Sequence, residues 1–203
     1  FMEAINANVL NIQKYTNYEY RDLENYVFLK HGIERNEYMR QAAAEEAVNE
    51  KLPKLTQEQI DGDIDGSLQD EYKAAYDQFL EEETAKVADK DYSGLFAVAA
   101  EIWAKQNGER FNPKKKGDVA RIQKMDEFKA DRDAVIVEYI AKFEKTISET
   151  IIPTAVKGEQ LTINGFWAAI NAATHYSLDR LVTSGIESKE EVDDLKARYQ
   201  YYV

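Results

Sequence analysis

Only three prolines and nine glycines interrupt 203 residues, and that scarcity of chain-breakers constrains the fold more than any motif does. A protein of many strands and tight turns uses both residues often, proline to fix φ and glycine to supply positive φ. Long stretches without either favour long helices, and helical spacing of apolar residues runs through nearly every segment. Start signals divide the pattern. Thr16 with Glu19, Thr56 with Gln59 and Ser188 with Glu191 each fit the capping box, in which two side chains satisfy free amides of a first helical turn. Gly32, Gly108 and Gly185 follow apolar-periodic runs and suit the left-handed residue that closes a helix.

These signals predict a first segment over 3–15, with a short strand there as the one alternative to helix. Helices are then expected over 17–30, with Tyr20, Leu23, Tyr26 and Val27 inward, and over 34–52, stopped by Pro53. A turn of helix at 56–60 precedes one running from Ser67 to Val87 with Leu68, Tyr72, Tyr76, Phe79 and Leu80 on one stripe. The next spans 93–107. The longest pattern runs from Asp118 to Ile151, with Phe128, Arg132, Val135, Tyr139 and Phe143 on its stripe. Unbroken, it would span about 50 Å, and the charged residues 130–133 are where it would break. Asn164 is the expected cap of a small-residue helix over 166–182, and a last helix occupies 188–199. The expected fold is an all-α, compact multi-helix bundle with at most a short N-terminal strand.

Apolar residues make up 44% and charged residues 32%, the balance of a folded rather than a disordered chain. Without cysteine, disulfides, thiolate nucleophiles and Cys-built zinc sites are excluded. Apolar runs such as Leu95 to Ala100 fall far short of the roughly 20 residues of a membrane span, and no leader is visible at the start. A soluble, cytoplasmic protein is expected. The charge is uneven: residues 1–109 carry 11 Lys/Arg against 23 Asp/Glu, and residues 110–203 carry 15 against 15. The organisation expected from this is an acidic helical half, 1–109, and a charge-balanced helical half, 110–203, within one globular unit. Such asymmetry governs solubility and partner choice rather than fold.

Two segments resemble known motifs. Asp61, Asp63 and Asp65 followed by Gly66, with Leu68 at the eighth position, resemble the start of an EF-hand calcium loop. That resemblance implies a calcium site, although position 12, a bidentate Glu in that family, is Tyr72. The alternative is an acidic turn that favours a helix N-terminus. Residues 29–42, with Gly32-Ile33 opening an Asn36-Glu37-Tyr38-Met39-Arg40 stretch, resemble the turn between the helices of ribbon-helix-helix DNA-binding proteins. That resemblance implies a dimer whose residues 9–13 form a groove-reading ribbon with Asn11 and Gln13 on the bases. Opposing it, residues 3–52 hold six basic against nine acidic groups, whereas duplex binding rests on phosphate neutralisation.

Arg110, Lys114, Lys115 and Lys116 form one basic loop, to which Arg121 and Lys124 add; it is either a solvated loop or a docking surface for an acidic protein or a phosphate backbone. Tyr199, Tyr201 and Tyr202 crowd the end of the chain and suit an interface, where tyrosine is enriched. His175, near Asn171 and Thr174, is the one candidate catalytic base, and needs a cavity and a carboxylate. The expectation is a non-enzymatic interaction or assembly protein of phage or mobile-element character, binding a protein partner through its acidic and basic surfaces. An acidic helical surface also imitates a phosphate array, as an inhibitor of a nucleic-acid enzyme would. The alternatives are a DNA-binding regulator and an enzyme built around His175. No resident cofactor is expected beyond the calcium that the EF-hand resemblance implies, and self-association stays open.

Overall fold

A computed structural model describes residues 2–154 and 156–198, and the fold is all-α. Among the described residues the helices are α1 (Met2–Tyr15), α2 (Tyr20–Lys51), α3 (Gln57–Gly62), α4 (Ser67–Val87), α5 (Leu95–Gln106), α6 (Lys116–Lys124), α7 (Asp126–Glu149), α8 (Ile163–Thr183) and α9 (Lys189–Arg198). The described residues contain no strand, and extended chain pairs only in an isolated bridge between Pro153 and Gln160.

Local chemistry moves several boundaries. Residues 9–13 lie inside α1, so there is no N-terminal ribbon. Thr16 does not open α2: its hydroxyl donates to the Ile12 carbonyl at 2.7 Å and closes α1. Asp22, in the first turn of α2, accepts the Glu19 N–H at 2.9 Å instead. Gly32 does not end a helix either, since α2 runs through it from Tyr20 to Lys51. An interior glycine costs about 1 kcal/mol against alanine, a penalty that burial of Leu29 and Asn36 on either side of it outweighs. The turn of the ribbon-helix-helix resemblance is therefore absent, as its strand is. The long 118–151 pattern breaks at Met125, whose extended backbone (φ −68°, ψ 133°) separates α6 from α7. Asp126 and Glu127 then favour a new N-terminus, and α7 is about 36 Å long. Thr162 rather than Asn164 caps α8, accepting the Gly165 N–H at 3.0 Å. The capping boxes at Thr56–Gln59 and Ser188–Glu191 form as expected, and Gly108 and Gly185 take positive φ beyond α5 and α8.

The chain divides into a larger unit, residues 1–34 and 94–203, and a smaller one, residues 35–93. Charge balance draws a boundary near residue 110, whereas packing draws two, at 34/35 and 93/94. In the larger unit α5 packs on α6 and α7, and α8 on α1, α7 and α9. Its core centres on Tyr26, fully buried and stacked on Phe143 with centroids 4.0 Å apart. The Tyr26 hydroxyl donates to Glu144 at 3.0 Å and accepts the Trp167 indole N–H at 2.9 Å. Arg132 sits on the stripe of α7 with its guanidinium 4.0 Å from the centroid of the Phe96 ring, a cation–π contact, and bonded to Asp133 at 2.7 Å.

The smaller unit buries far less. Its buried apolar residues are Ala44, Val48 and Val87, joined by the buried polar side chains of Asn36 and Glu83. The stripe expected on α4 reaches the interior only at its end, with Glu83 and Val87. Glu83 accepts from both Lys51 and Lys86, the latter at 2.6 Å, tying α2 to α4. Hydrogen bonds from Lys51 and then Lys86 hold its carboxyl below the ordinary glutamate value. A depressed pKa adds stability at neutral pH that disappears as pH falls from the unfolded value of 4.5 toward the folded one. The smaller unit is accordingly expected to lose stability on acidification below about pH 4.5. Amide exchange on residues 44–48 and 83–87, followed against pH in the wild type and in Glu83→Gln, checks this. The variant's exchange should depend less on pH in that range.

Candidate interaction surfaces

The three aspartates of the acidic loop turn toward backbone and neighbouring side chains. Asp63 accepts the Leu68 and Gln69 N–H groups at 3.1 and 2.8 Å, so its carboxylate caps the first turn of α4. Asp65 accepts from the Ser67 amide and hydroxyl, and those bonds, the hydroxyl's foremost, lower its pKa. Asp61 accepts from Gln57 at 2.7 Å. Among the described residues no cluster of three or more His, Asp or Glu side chains is placed to hold a metal. Asp63 and Asp65 thus serve the start of α4 while Asp61 bonds within α3, and Gly66 takes φ +76° at the turn.

Arg110, Lys114, Lys115 and Lys116 are exposed before and at the start of α6. Arg121 is committed: it pairs with Glu109 at 3.0 Å and donates to the Arg110 carbonyl. Asp118 accepts the Asn112 N–H at 3.0 Å, and Asn112 accepts that of Lys114. The loop is thereby fixed with four cations outward. Tyr199, Tyr201 and Tyr202 lie outside the described residues.

Redrawn by packing unit, the charge is more concentrated than its split in sequence suggests. Residues 35–93 carry 7 Lys/Arg against 16 Asp/Glu, a net of −9 out of the chain's −12. Glu46, Glu50, Glu58, Asp70, Asp77, Glu81 and Glu82 are exposed. Exposed apolar side chains accompany them: Ile60, Leu68 and, 97% exposed, Ile64.

Three concavities stand out. In the larger unit an apolar groove of about 860 Å³ is lined by Ile5 and Val9 of α1, Leu23, Val27 and Phe28 of α2, and Ile170, Leu178 and Leu181 of α8. From α8 it takes Ala173, Thr174 and Ser177 but not His175, which is exposed; the cavity expected around a catalytic His175 is not this one. A polar cleft of about 610 Å³ lies among α2, α5 and α7. There Arg21 grips Glu101 through two bonds of 2.9 and 2.6 Å. The Tyr139 hydroxyl lies 3.1 and 3.2 Å from the Asp22 carbonyl and carboxylate. Burial first, and then the Asp22 charge, raise the Tyr139 pKa, so it remains a proton donor at neutral pH. These groups hold one another rather than standing ready to abstract a proton. The third concavity, about 780 Å³, belongs to the smaller unit and is lined by Glu45, Asn49, Leu55, Ile60, Asp70, Tyr72 and Tyr76 among others.

Helical spacing puts Tyr72 and Tyr76 on one stripe of α4 but does not join them to Leu55 and Ile60. Only the fold of α2, α3 and α4 makes that grouping. Comparison with protein-family models, with curated proteins and with solved structures finds no match.

Proposed function

We propose that this chain is a non-catalytic interaction protein whose smaller, acidic unit docks onto a basic surface of a protein partner. The observation that carries the reading is the net charge of −9 on residues 35–93, a unit with few buried apolar side chains. Like charges gathered on a small unit repel one another and weaken it, and a small domain has little core to offset that. A complementary basic partner relieves the repulsion and speeds encounter. The exposed cations Arg110, Lys114, Lys115 and Lys116 supply a second surface, of opposite charge, on the larger unit for an acidic region of an assembly.

The test is affinity capture from the native host with the full chain as bait, repeated with Glu45, Glu46, Glu50, Glu81 and Glu82 changed to Gln. Expected is a captured protein with a basic surface, lost in the variant and released between about 50 and about 500 mM salt, as screening shortens the reach of exposed charge. Capture indifferent to both salt and the five substitutions overturns the reading. Elution of the partner by duplex DNA would favour the phosphate-imitating form of the same function.

A further inference from the structure

We propose that the concavity of the smaller unit is the seat of a basic amphipathic helix presented by the partner, a proposal that rests on the acidic-docking reading above. Its floor is apolar and aromatic: Leu55 from the segment after α2, Ile60 from α3, and Tyr72 and Tyr76 from α4. The two tyrosines stand four residues apart on one face of α4, with ring centroids 6.4 Å apart and planes 27° from parallel. They form a continuous ring surface. Two carboxylates, Glu45 of α2 and Asp70 of α4, line the concavity as well, in a unit of net charge −9. Glu45 and Asn49 also line an adjoining depression with Ala42, Glu46 and Glu50, so the acidic edge continues along α2.

An apolar and aromatic lining beside the acidic edge of α2, in a unit of net charge −9, sets the chemistry of its occupant. An amphipathic helix places an apolar stripe, spaced i, i+3, i+4 and i+7, into such a groove, and lysines or arginines flanking that stripe meet the carboxylates. An anionic helix is repelled by the net charge of −9 on the unit.

Two further features belong with this. Lys54 and Lys73 also line the concavity, and each opposes a basic occupant, so replacing one by an acid should strengthen binding. Ile60 is 37% exposed and outside the buried core, so an aspartate there strikes the floor without opening a cavity in the fold.

The experiment uses the full chain and two fluorescent peptides of about 14 residues, roughly four helical turns. Both consist of leucine and lysine in equal numbers, one at helical spacing and one scrambled to destroy the apolar stripe. Anisotropy at physiological salt should show the patterned peptide binding at least about tenfold more tightly than the scrambled one. Ile60→Asp should remove about tenfold of that affinity, and Lys73→Glu should raise it several-fold, a gain that misfolding does not imitate. Equal binding of both peptides, with Ile60→Asp and Lys73→Glu silent, overturns the groove and leaves acidic docking standing. Failure of both peptides to bind overturns both. Sedimentation showing a dimer that Ile60→Asp dissolves would assign the groove to a second copy of this chain and overturn the helix of a partner.

Discussion

Tyr26→Ala is expected to destabilise the larger unit by about 3–5 kcal/mol, the range for emptying a buried aromatic site. Tyr26 combines several roles in one fully buried side chain. Its ring stacks on Phe143 at 4.0 Å and lies 5.7 Å from the Trp167 ring, and its hydroxyl links the Trp167 indole N–H to Glu144. Lys30 completes the chain with a 3.0 Å ion pair to the same carboxylate. Tyr26→Phe separates the contributions. It keeps the stack and removes the hydroxyl, so the indole loses a buried acceptor and Glu144 loses a donor, a cost of about 1–3 kcal/mol. Both tryptophans, Trp103 and Trp167, belong to the larger unit, so urea unfolding followed by tryptophan emission reads this unit directly. Tyr26→Phe should fall between wild type and Tyr26→Ala. Equal midpoints for wild type and Tyr26→Phe would show that the buried hydroxyl contributes nothing.

The all-α fold was legible because its signals are local. Helical spacing, the capping boxes at Thr56 and Ser188, and the closing glycines 108 and 185 act within a few residues of themselves, and the structure keeps all of them. Local signals failed where tertiary packing outweighed them. Gly32 reads as a stop, yet α2 passes through it because Leu29 and Asn36 are buried on either side. Met125 carries no breaker, yet α6 and α7 part there. Thr16 and Glu19 have the spacing of a capping box, but Asp22 reached the free amide first. The aspartate loop shows a different limit. Spacing gives the order of its carboxylates but not their direction, and Asp63 turns to the amides of α4. Charge was legible in amount but not in place, because residues 1–34 fold with 94–203 and leave residues 35–93 to hold most of the excess. The groove of Leu55, Ile60, Tyr72 and Tyr76 was the least legible feature, since three helices must meet before its residues become neighbours.

Asn36 offers the sharpest test of the smaller unit. Its carboxamide, 2% exposed, accepts the N–H groups of Tyr92 and Ser93 at 2.8 and 2.9 Å and donates to Asp91 at 3.1 Å. One side chain on α2 thereby pins the segment that follows α4. Asn36→Ala deletes the acceptor and the donor together; the Ser93 N–H keeps Asp91 at 3.2 Å, whereas the Tyr92 N–H loses this acceptor, at a cost of about 1–3 kcal/mol. For a unit whose buried apolar residues are Ala44, Val48 and Val87, a loss of that size is a large part of the whole. Amide exchange at Tyr92 and Ser93 should accelerate first, with the amides around Val48 and Val87 following. Asn36→Asp distinguishes the bonds. It keeps an oxygen for both N–H groups but sets a carboxylate against Asp91 where an amide donor had been. Two carboxylates so close do not both ionise without cost. Asn36→Asp should therefore be destabilised at neutral pH and recover as acid supplies one shared proton, opposite in sign to the acid loss expected at Glu83. If protection at Tyr92 and Ser93 survives Asn36→Ala, the segment is held by something other than this side chain.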